Sequence, residues 1–311
     1  MPRLPKIPAA RSDRPEPSSG RGHALLALAL VLALGGCGGE GPPPAVPQLV
    51  SPVGGATLDT DTPVFTITNA RGFDSGEASY TFRVVVASTG RDVASVTVAA
   101  GPSQTAVRFP DPLLRGATLG WSVVGRDRAG SEVASGSASF RLPPVDCRST
   151  SDPYAKAVVG FWVPATCLAV NSYNDPEEAL GPPDAGQLPN NAYFGFVSLG
   201  DGGFVDVDME GCAIDAEGAD VRVLQSVSSE PVTLYASSSP AGPWVLVESR
   251  KPCGQRNPGT FSRRCEFDLA AAGIEEARYL RVQDGELFPC PGGTDTEGAD
   301  IDAVQILSVK P

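Results

Sequence analysis

The segment "GADIDAVQIL" near the end of the chain carries two carboxylates, Asp300 and Asp302, at the start of a predicted β-strand. Alternate residues of a strand share a face, so both aspartates are predicted to lie with Val304 and Ile306. That face is apolar, and a buried carboxylate without a partner is costly. The pair therefore needs water, backbone amides, an arginine or a metal ion as its partner, and the arginine alternative is Arg281, one strand earlier by sequence.

Calcium is the metal that this pattern favours. It takes about six to eight oxygen ligands and accepts irregular loops. Asp300 and Asp302, joined by Asp184 of the segment "PPDA", form the candidate structural calcium site. Asp206 and Asp208 alternate with apolar residues in "FVDVDM", a pattern that predicts a solvent-exposed strand face.

Two tryptophans stand beside glycine or proline turns, as aromatic platforms for sugars do. They are Trp162 in "VVGFWVPATC" and Trp244 in "SPAGPWVLV". Trp244 opens a predicted strand, so Trp162 is the candidate ligand-binding residue. The alternative for either tryptophan is a half-buried position in the core.

Several catalytic classes are excluded by composition. The single histidine, His23, lies in the first 36 residues, which read as a signal peptide. Without it, a Ser-His-Asp or Cys-His nucleophile and a histidine-based zinc site are excluded. No Walker loop or GxGxxG fingerprint is present. The chain is therefore not expected to be an enzyme, although a glycosidase that uses two carboxylates stays formally open.

The N-terminus predicts export. Basic residues precede the apolar run "ALLALALVLAL", which suits a signal peptide over residues 1–36. The run ends in "LGGC", which resembles the bacterial lipobox and implies lipidation of Cys37; the alternative is an ordinary secretory signal. Residues 37–46 form a Gly/Pro-rich tether. The expected location is extracytoplasmic, at the outer membrane or cell surface, with the lipid anchor holding the protein to the membrane.

Cysteine usage and charge agree with that location. Removing five basic and two acidic residues with the signal changes the formal charge from -12 to -15, which disfavours nucleic acid as a partner. The remaining six cysteines suit an oxidising compartment and predict three disulfides, with the pairing left open. These cysteines are Cys147, Cys167, Cys212, Cys253, Cys265 and Cys290.

Residues 47–142 predict a first β-sandwich. The segments "PVFTITN", "YTFRVVV" and "LGWSVV" alternate apolar and polar residues, with turn residues between them. Together with "PQLVSPVGGATLDTDT", they resemble the fibronectin type III-like modules of bacterial surface proteins. The resemblance implies a spacer role and places Trp121 in the core.

Residues 147–311 predict a second sandwich of jelly-roll type, so the fold class is all-β, with two sandwiches in tandem. The segments "ALGPPDA", "FVSLGDGGFVDVDM", "EPVTLYASSSPAGPWVLV" and "GADIDAVQIL" occur in the order of the discoidin-like, or galactose-binding-like, jelly rolls. That resemblance implies binding of carbohydrates, lipid head groups or proteins. It also implies a structural calcium in many members, and catalysis in few.

The expected function is that of a non-catalytic surface lipoprotein. Its jelly roll would bind a glycan or another surface ligand, displayed on the fibronectin type III-like spacer. The second hypothesis is a structural or assembly lipoprotein that meets only protein partners, and the third is a carboxylate glycosidase.

Overall fold

The structure is a computed structural model, and it describes residues 45–73, 77–165, 173–190, 193–226, 230–285 and 298–309. The all-β prediction is confirmed, since two β-sandwiches follow one another along the chain, with antiparallel pairing throughout the named strands except between β2 and β9. The first contains strands β1 (Gln48–Ser51), β2 (Ala56–Thr57), β3 (Val64–Thr68), β4 (Ser79–Val86), β5 (Asp92–Ala99), β6 (Gln104–Arg108), β7 (Thr118–Arg126), β8 (Glu132–Ala134) and β9 (Ala138–Arg141).

The first sandwich packs the sheet β1-β3-β6 against a sheet of order β2-β9-β7-β4-β5, in which β8 also pairs with β7. The predicted alternation is present in β4, where every second residue is buried. Aromatic rings fill the space between the sheets. Trp121 lies edge-on to Phe65, with ring centroids 5.0 Å apart, and stacks on Phe82 at 6.1 Å. Trp121 is therefore a core residue, as predicted.

The second sandwich has two five-stranded sheets, β10-β14-β20-β16-β17 and β13-β21-β15-β19-β18, and a separate hairpin β11-β12. Its strands are β10 (Ala157–Trp162), β11 (Gly186–Gln187), β12 (Tyr193–Phe194), β13 (Val197–Ser198), β14 (Phe204–Ile214), β15 (Val221–Gln225), β16 (Val232–Ser237), β17 (Val245–Lys251), β18 (Gln255–Arg256), β19 (Arg263–Phe267), β20 (Glu276–Asp284) and β21 (Asp300–Ile306).

Aliphatic residues dominate the core of the second sandwich. One sheet contributes Val205, Val207 and Leu280, and the other contributes Val223 and Val304, all fully buried. Two short 3₁₀ helices complete the structure, Pro176–Ala179 and Leu269–Ala272. The second is the helical turn predicted from "DLAAAGIEEA". No described helix has the length and hydropathy needed to cross a membrane.

The two sandwiches are in contact within one compact unit, residues 42–311. Arg91 of the first donates to the carbonyls of Val247 and Ala271 of the second, at 3.0 and 3.1 Å. The carbonyl of Gly116 accepts hydrogen bonds from the backbone N–H groups at 275 and 276. The first sandwich is therefore bonded directly to the second, which a simple flexible spacer would not be.

Two disulfides join described cysteines, Cys147 to Cys212 and Cys253 to Cys265. The predicted lipidation site Cys37 and the cysteines Cys167 and Cys290 lie outside the described residues. Four of the six predicted disulfide cysteines are therefore paired in the structure, all in or next to the second sandwich.

Candidate functional site

A β-bulge in β21 changes the predicted face of the aspartate pair. The pairing with β15 passes directly from Ala303 to Ile301, so Asp302 is left over at the bulge. Ile301 and Val304 both join the core, although residues three positions apart on a regular strand lie on opposite faces. Asp300, next to Ile301, consequently lies on the face opposite to Val304. The predicted common face of Asp300 and Val304 is wrong because the bulge reverses the alternation.

Both carboxylates of the pair are buried and hydrogen-bonded. Asp302 accepts hydrogen bonds from the backbone N–H groups of Asp184 and Ala185, at 3.0 and 3.1 Å, and from the Ser262 hydroxyl. Asp300 accepts one from a serine hydroxyl on β13. Burial raises the pKa of the Asp302 carboxyl, and the hydrogen bonds to it oppose this rise. Amides and hydroxyls are thus the partners that the structure shows for this pair.

The described residues do not assemble the predicted calcium ligands into one set. Asp184 presents its backbone N–H to Asp302, and an N–H group cannot ligate a cation. Asp184, Asp300 and Asp302 are not among the carboxylates whose oxygens lie within 4.8 Å of one another in the described part of the chain. Calcium binding at this position stays a prediction.

Another acidic trio does lie that close together, formed by Asp215, Asp220 and Asp268. Asp220 is fully buried and accepts from the backbone N–H groups of Ala216 and Leu269, both at 2.9 Å. Asp268 caps the 3₁₀ helix that begins at Leu269. Burial and the neighbouring carboxylates raise the pKa of Asp215. Hydrogen bonds to the backbone account for the positions of Asp220 and Asp268.

Arg281, the predicted arginine alternative for the pair, is bonded elsewhere. It lies on β20 directly opposite Asp206 of β14. Its Nε and Nη2 atoms donate to the two Asp206 carboxylate oxygens at 2.6 and 2.7 Å. The predicted solvent-exposed face is therefore wrong for Asp206, whose side chain is 5% exposed. Gly160 of the edge strand covers the carboxylate, since a Cβ atom at that position would lie 2.5 Å from Oδ2.

A stack of planar side chains crosses the outer face of this sheet. Trp162, at the end of β10, lies opposite Phe204 of β14, and their rings stack with centroids 6.2 Å apart. The Arg281 guanidinium carbon lies 3.9 Å from the Phe204 ring centroid and 4.6 Å from that of Trp244. We refer to Trp162, Phe204, Arg281 and Trp244 as the aromatic row.

The aromatic row is held rigidly but leaves one ring open. Arg281 is fixed by two hydrogen bonds to Asp206, and Phe204 is fixed between Arg281 and Trp162. Trp162 terminates the row and is 52% exposed, so much of its indole remains accessible to a ligand. Cation–π contacts contribute about 0.5–1 kcal/mol at exposed sites and about 2 kcal/mol when desolvated, and Arg281, whose side chain is 23% exposed, lies between these cases. The platform is consequently preorganised.

The other end of the row borders a groove between the two sandwiches. Pro243, next to Trp244 in the chain, lines a groove of about 240 Å³ together with Ala241. The opposite wall comes from the first sandwich, through residues 93–95 and 109–112. Both sandwiches therefore line this groove.

The structure brings together the two tryptophans that the sequence singled out, through residues that the sequence did not connect with them. Phe204 and Arg281 lie between Trp162 and Trp244 in the row, and Asp206 fixes the arginine. The available signal was the period of two in "FVDVDM" and "RYLRVQD", which places these side chains on one face of each strand. Recognising the row also required knowing that β14 and β20 are neighbours.

No protein-family model matches the chain, and no curated protein matches it significantly. Among solved structures, a SusE-like protein is 9% identical, with a TM-score of 0.28, over 86% of this chain and 98% of that one. The α-L-rhamnosidase from Dictyoglumus thermophilum is 12% identical, with a TM-score of 0.26, over 86% of this chain and 29% of the enzyme. The FN1–FN3 domains of chicken CNTN1 are 11% identical, with a TM-score of 0.22, over 86% and 68% of the two chains. At these scores, none of the three likenesses bears on the site.

Proposed function

We propose that the chain is a non-catalytic carbohydrate-binding protein and that the aromatic row is its binding face. The observation that carries this proposal is the half-exposed indole of Trp162, which is stacked on Phe204 and thereby held in place. Sugar rings present an apolar C–H face that removes apolar surface from water when it packs on a flat aromatic ring. A fixed indole adds affinity because little side-chain freedom is lost on binding.

The carboxylates of this face support a binding role over catalysis. Asp206 is held by both oxygens to Arg281, and Asp208 is held in the same way to Arg278 at 2.8 Å. A glycosidase needs one carboxyl group that donates a proton and a second that acts as base or nucleophile. Two carboxylates locked in bidentate ion pairs are poorly suited to either task. The buried Asp302 is 1% exposed and so is inaccessible to a polysaccharide.

The cellular setting of this proposal comes from the N-terminal sequence. Lipidation at Cys37 would anchor the chain to a membrane outside the cytoplasm, and residues 37–46 would separate the sandwiches from the lipid surface. We propose a cell-surface or outer-membrane lipoprotein on this ground. The first sandwich would then present the second and form one wall of the groove beside Trp244.

The test uses residues 42–311, which form one compact unit. Affinity electrophoresis through gels containing a panel of polysaccharides should show retardation by at least one of them. Trp162→Ala should weaken that binding about tenfold or more, because a central aromatic anchor is lost. Phe261→Ala removes a ring of similar exposure, 46%, from the loop before β19 of the other sheet, and should leave binding unchanged.

Two results would contradict the proposal. One is that the polysaccharide that retards the unaltered protein retards Trp162→Ala equally. The other is that no polysaccharide is bound while a defined protein is captured through the same face. The second result would favour the assembly-lipoprotein hypothesis, since exposed Trp and Arg residues are also typical of protein interfaces.

A further inference from the structure

We infer that the aromatic row selects a neutral polysaccharide and discriminates against an anionic one. This inference rests on the proposed function, and it adds the chemical class of the ligand. Its basis is the charge of the sheet face that carries the row. An arginine beside aromatic rings usually suggests recognition of a carboxylate or a phosphate, so the state of Arg281 decides the matter.

The guanidinium of Arg281 is already ion-paired with the carboxylate of Asp206. Its Nε and Nη2 atoms are bonded to the two oxygens of Asp206, at 2.6 and 2.7 Å, which is the bidentate geometry that an anionic sugar would need. The guanidinium plane also contacts Phe204 and Trp244. Arg281 therefore acts as a planar, charge-compensated member of the row.

Two further cations of this sheet are also ion-paired. Arg278 donates to both oxygens of Asp208 at 2.8 Å, and Lys251 pairs with Glu248 at 2.8 Å. The two arginines next to the aromatic rings are thus charge-compensated, and without the predicted signal peptide the chain has a formal charge of -15. An anionic polymer would thus meet general repulsion without a local ion pair to offset it.

The experiment compares a polysaccharide bound by residues 42–311 with a carboxylated derivative of the same backbone. The neutral polymer should bind with an affinity that is unchanged between about 20 mM and 0.5 M salt, because no ion pair forms. The carboxylated polymer should bind about tenfold more weakly than the neutral polymer at low salt. The difference between the two affinities should become smaller at high salt, because salt screens the repulsion. Tighter binding of the carboxylated polymer, or binding that salt weakens, would overturn the inference.

A matched pair of variants tests the role of charge compensation directly. Asp206→Asn removes the countercharge of Arg281, within the row, and should raise the affinity for the carboxylated polymer relative to the neutral one. Asp208→Asn removes the countercharge of Arg278, which lies outside the row. This variant should raise the affinity for the carboxylated polymer, relative to the neutral one, by less than Asp206→Asn does. If the ratio of the two affinities, carboxylated to neutral, were the same in both variants and in the unaltered protein, the inference would be contradicted.

The outcomes separate this inference from the function on which it rests. If no polysaccharide of either charge binds, the proposed function itself fails. If polysaccharides bind at Trp162 but the carboxylated form is preferred, only the inferred ligand class fails. Should Asp206→Asn not fold, the salt dependence of the unaltered protein alone decides between neutral and anionic ligands.

Discussion

The two sandwiches place their tryptophans in opposite environments. Trp121 of the first is 1% exposed, is surrounded by aromatic rings, and donates its indole N–H to the Pro52 carbonyl at 2.6 Å. Trp162 of the second is 52% exposed and rests on the outer face of a sheet whose inner face is aliphatic. One sandwich thus uses its large rings for its own stability, whereas the other keeps rings at the surface, where they can bind.

The two sandwiches also differ in the polar groups that they bury. Among the described residues, the first sandwich buries no carboxylate: Asn69 and Thr105 are buried and hydrogen-bond to each other at 2.7 Å, and the other buried polar groups include the Tyr80 hydroxyl and the Trp121 indole N–H. The second buries several carboxylates, including Asp220 and Asp302, each held by backbone amides. Buried carboxylates add desolvation cost, so the two observed disulfides strengthen the sandwich that needs it more.

Replacing each tryptophan by alanine should separate the two roles most strongly. Trp121→Ala should lower the free energy of unfolding by about 3–5 kcal/mol, because it empties an aromatic core. Trp162→Ala should lower it by only about 0.5–1.5 kcal/mol, because a half-exposed ring loses one aromatic stack and empties no core. Chemical denaturation of both variants measures this. A large loss of stability in Trp162→Ala would show that this ring is structural and would contradict the comparison.

A substitution at the junction should reveal whether the sandwiches act as one body. Gly116 has φ +70°, and a Cβ atom there would overlap the Glu276 carbonyl oxygen of the second sandwich. Gly116→Ala should therefore cost about 1–3 kcal/mol more than Gly130→Ala. Gly130 has φ +85° and open space around its Cβ position, so it carries the backbone strain without the clash. Equal losses in thermal or chemical unfolding would mean that the junction adds nothing to stability.

The smallest effect concerns the buried Asp302. Its folded-state pKa is raised, chiefly by burial, so the folded protein holds this proton more tightly than the unfolded chain does. Protonated Asp302 therefore adds to the free energy of unfolding at pH values below about 3.9, the pKa of aspartate in an unfolded chain. This added stability is lost as the pH rises through the higher pKa of Asp302 in the folded protein. Asp302→Asn should remove this pH-dependent part of the stability. The measurement is the free energy of unfolding of both proteins from about pH 3 to about pH 7, a range that includes the pKa of aspartate in an unfolded chain.

The calcium hypothesis predicts a different result for the same variant. If the Asp302 carboxylate ligated calcium, a chelator would destabilise the unaltered protein but not Asp302→Asn, because only the metal-binding form would be stabilised by the ion. An absence of any chelator effect, together with the pH dependence above, is what the observed amide and hydroxyl partners lead us to expect.

Local patterns predicted much of the fold. Alternation located β4, and it located β14 through "FVDVDM", because side chains that face a core on one side leave a period of two. It missed β19, "RRCEF", whose paired arginines hide the pattern. It also misjudged the face of Asp300, since a bulge depends on the partner strand and leaves no mark in composition.

The candidate site was less predictable, because it depends on which strands are neighbours. Trp162 was identifiable from the adjoining Gly and Pro residues, but Asp206 and Arg281 are 75 residues apart in sequence. Nothing local distinguishes an arginine that will meet a carboxylate across a ladder from one that will face water. One disulfide is similarly non-local, since Cys147 and Cys212 are separated by 65 residues, whereas Cys253 and Cys265 are only 12 apart.

The most direct test of carbohydrate binding at the aromatic row uses the three tryptophans of the chain as reporters. With 5-fluorotryptophan incorporated, Trp121, Trp162 and Trp244 each give one fluorine NMR resonance, assigned from single Trp→Phe variants. Titration with a bound neutral polysaccharide should shift the Trp162 resonance most and that of Trp244 less, and leave the buried Trp121 unmoved. Saturable binding that leaves the Trp162 resonance in place would contradict the account.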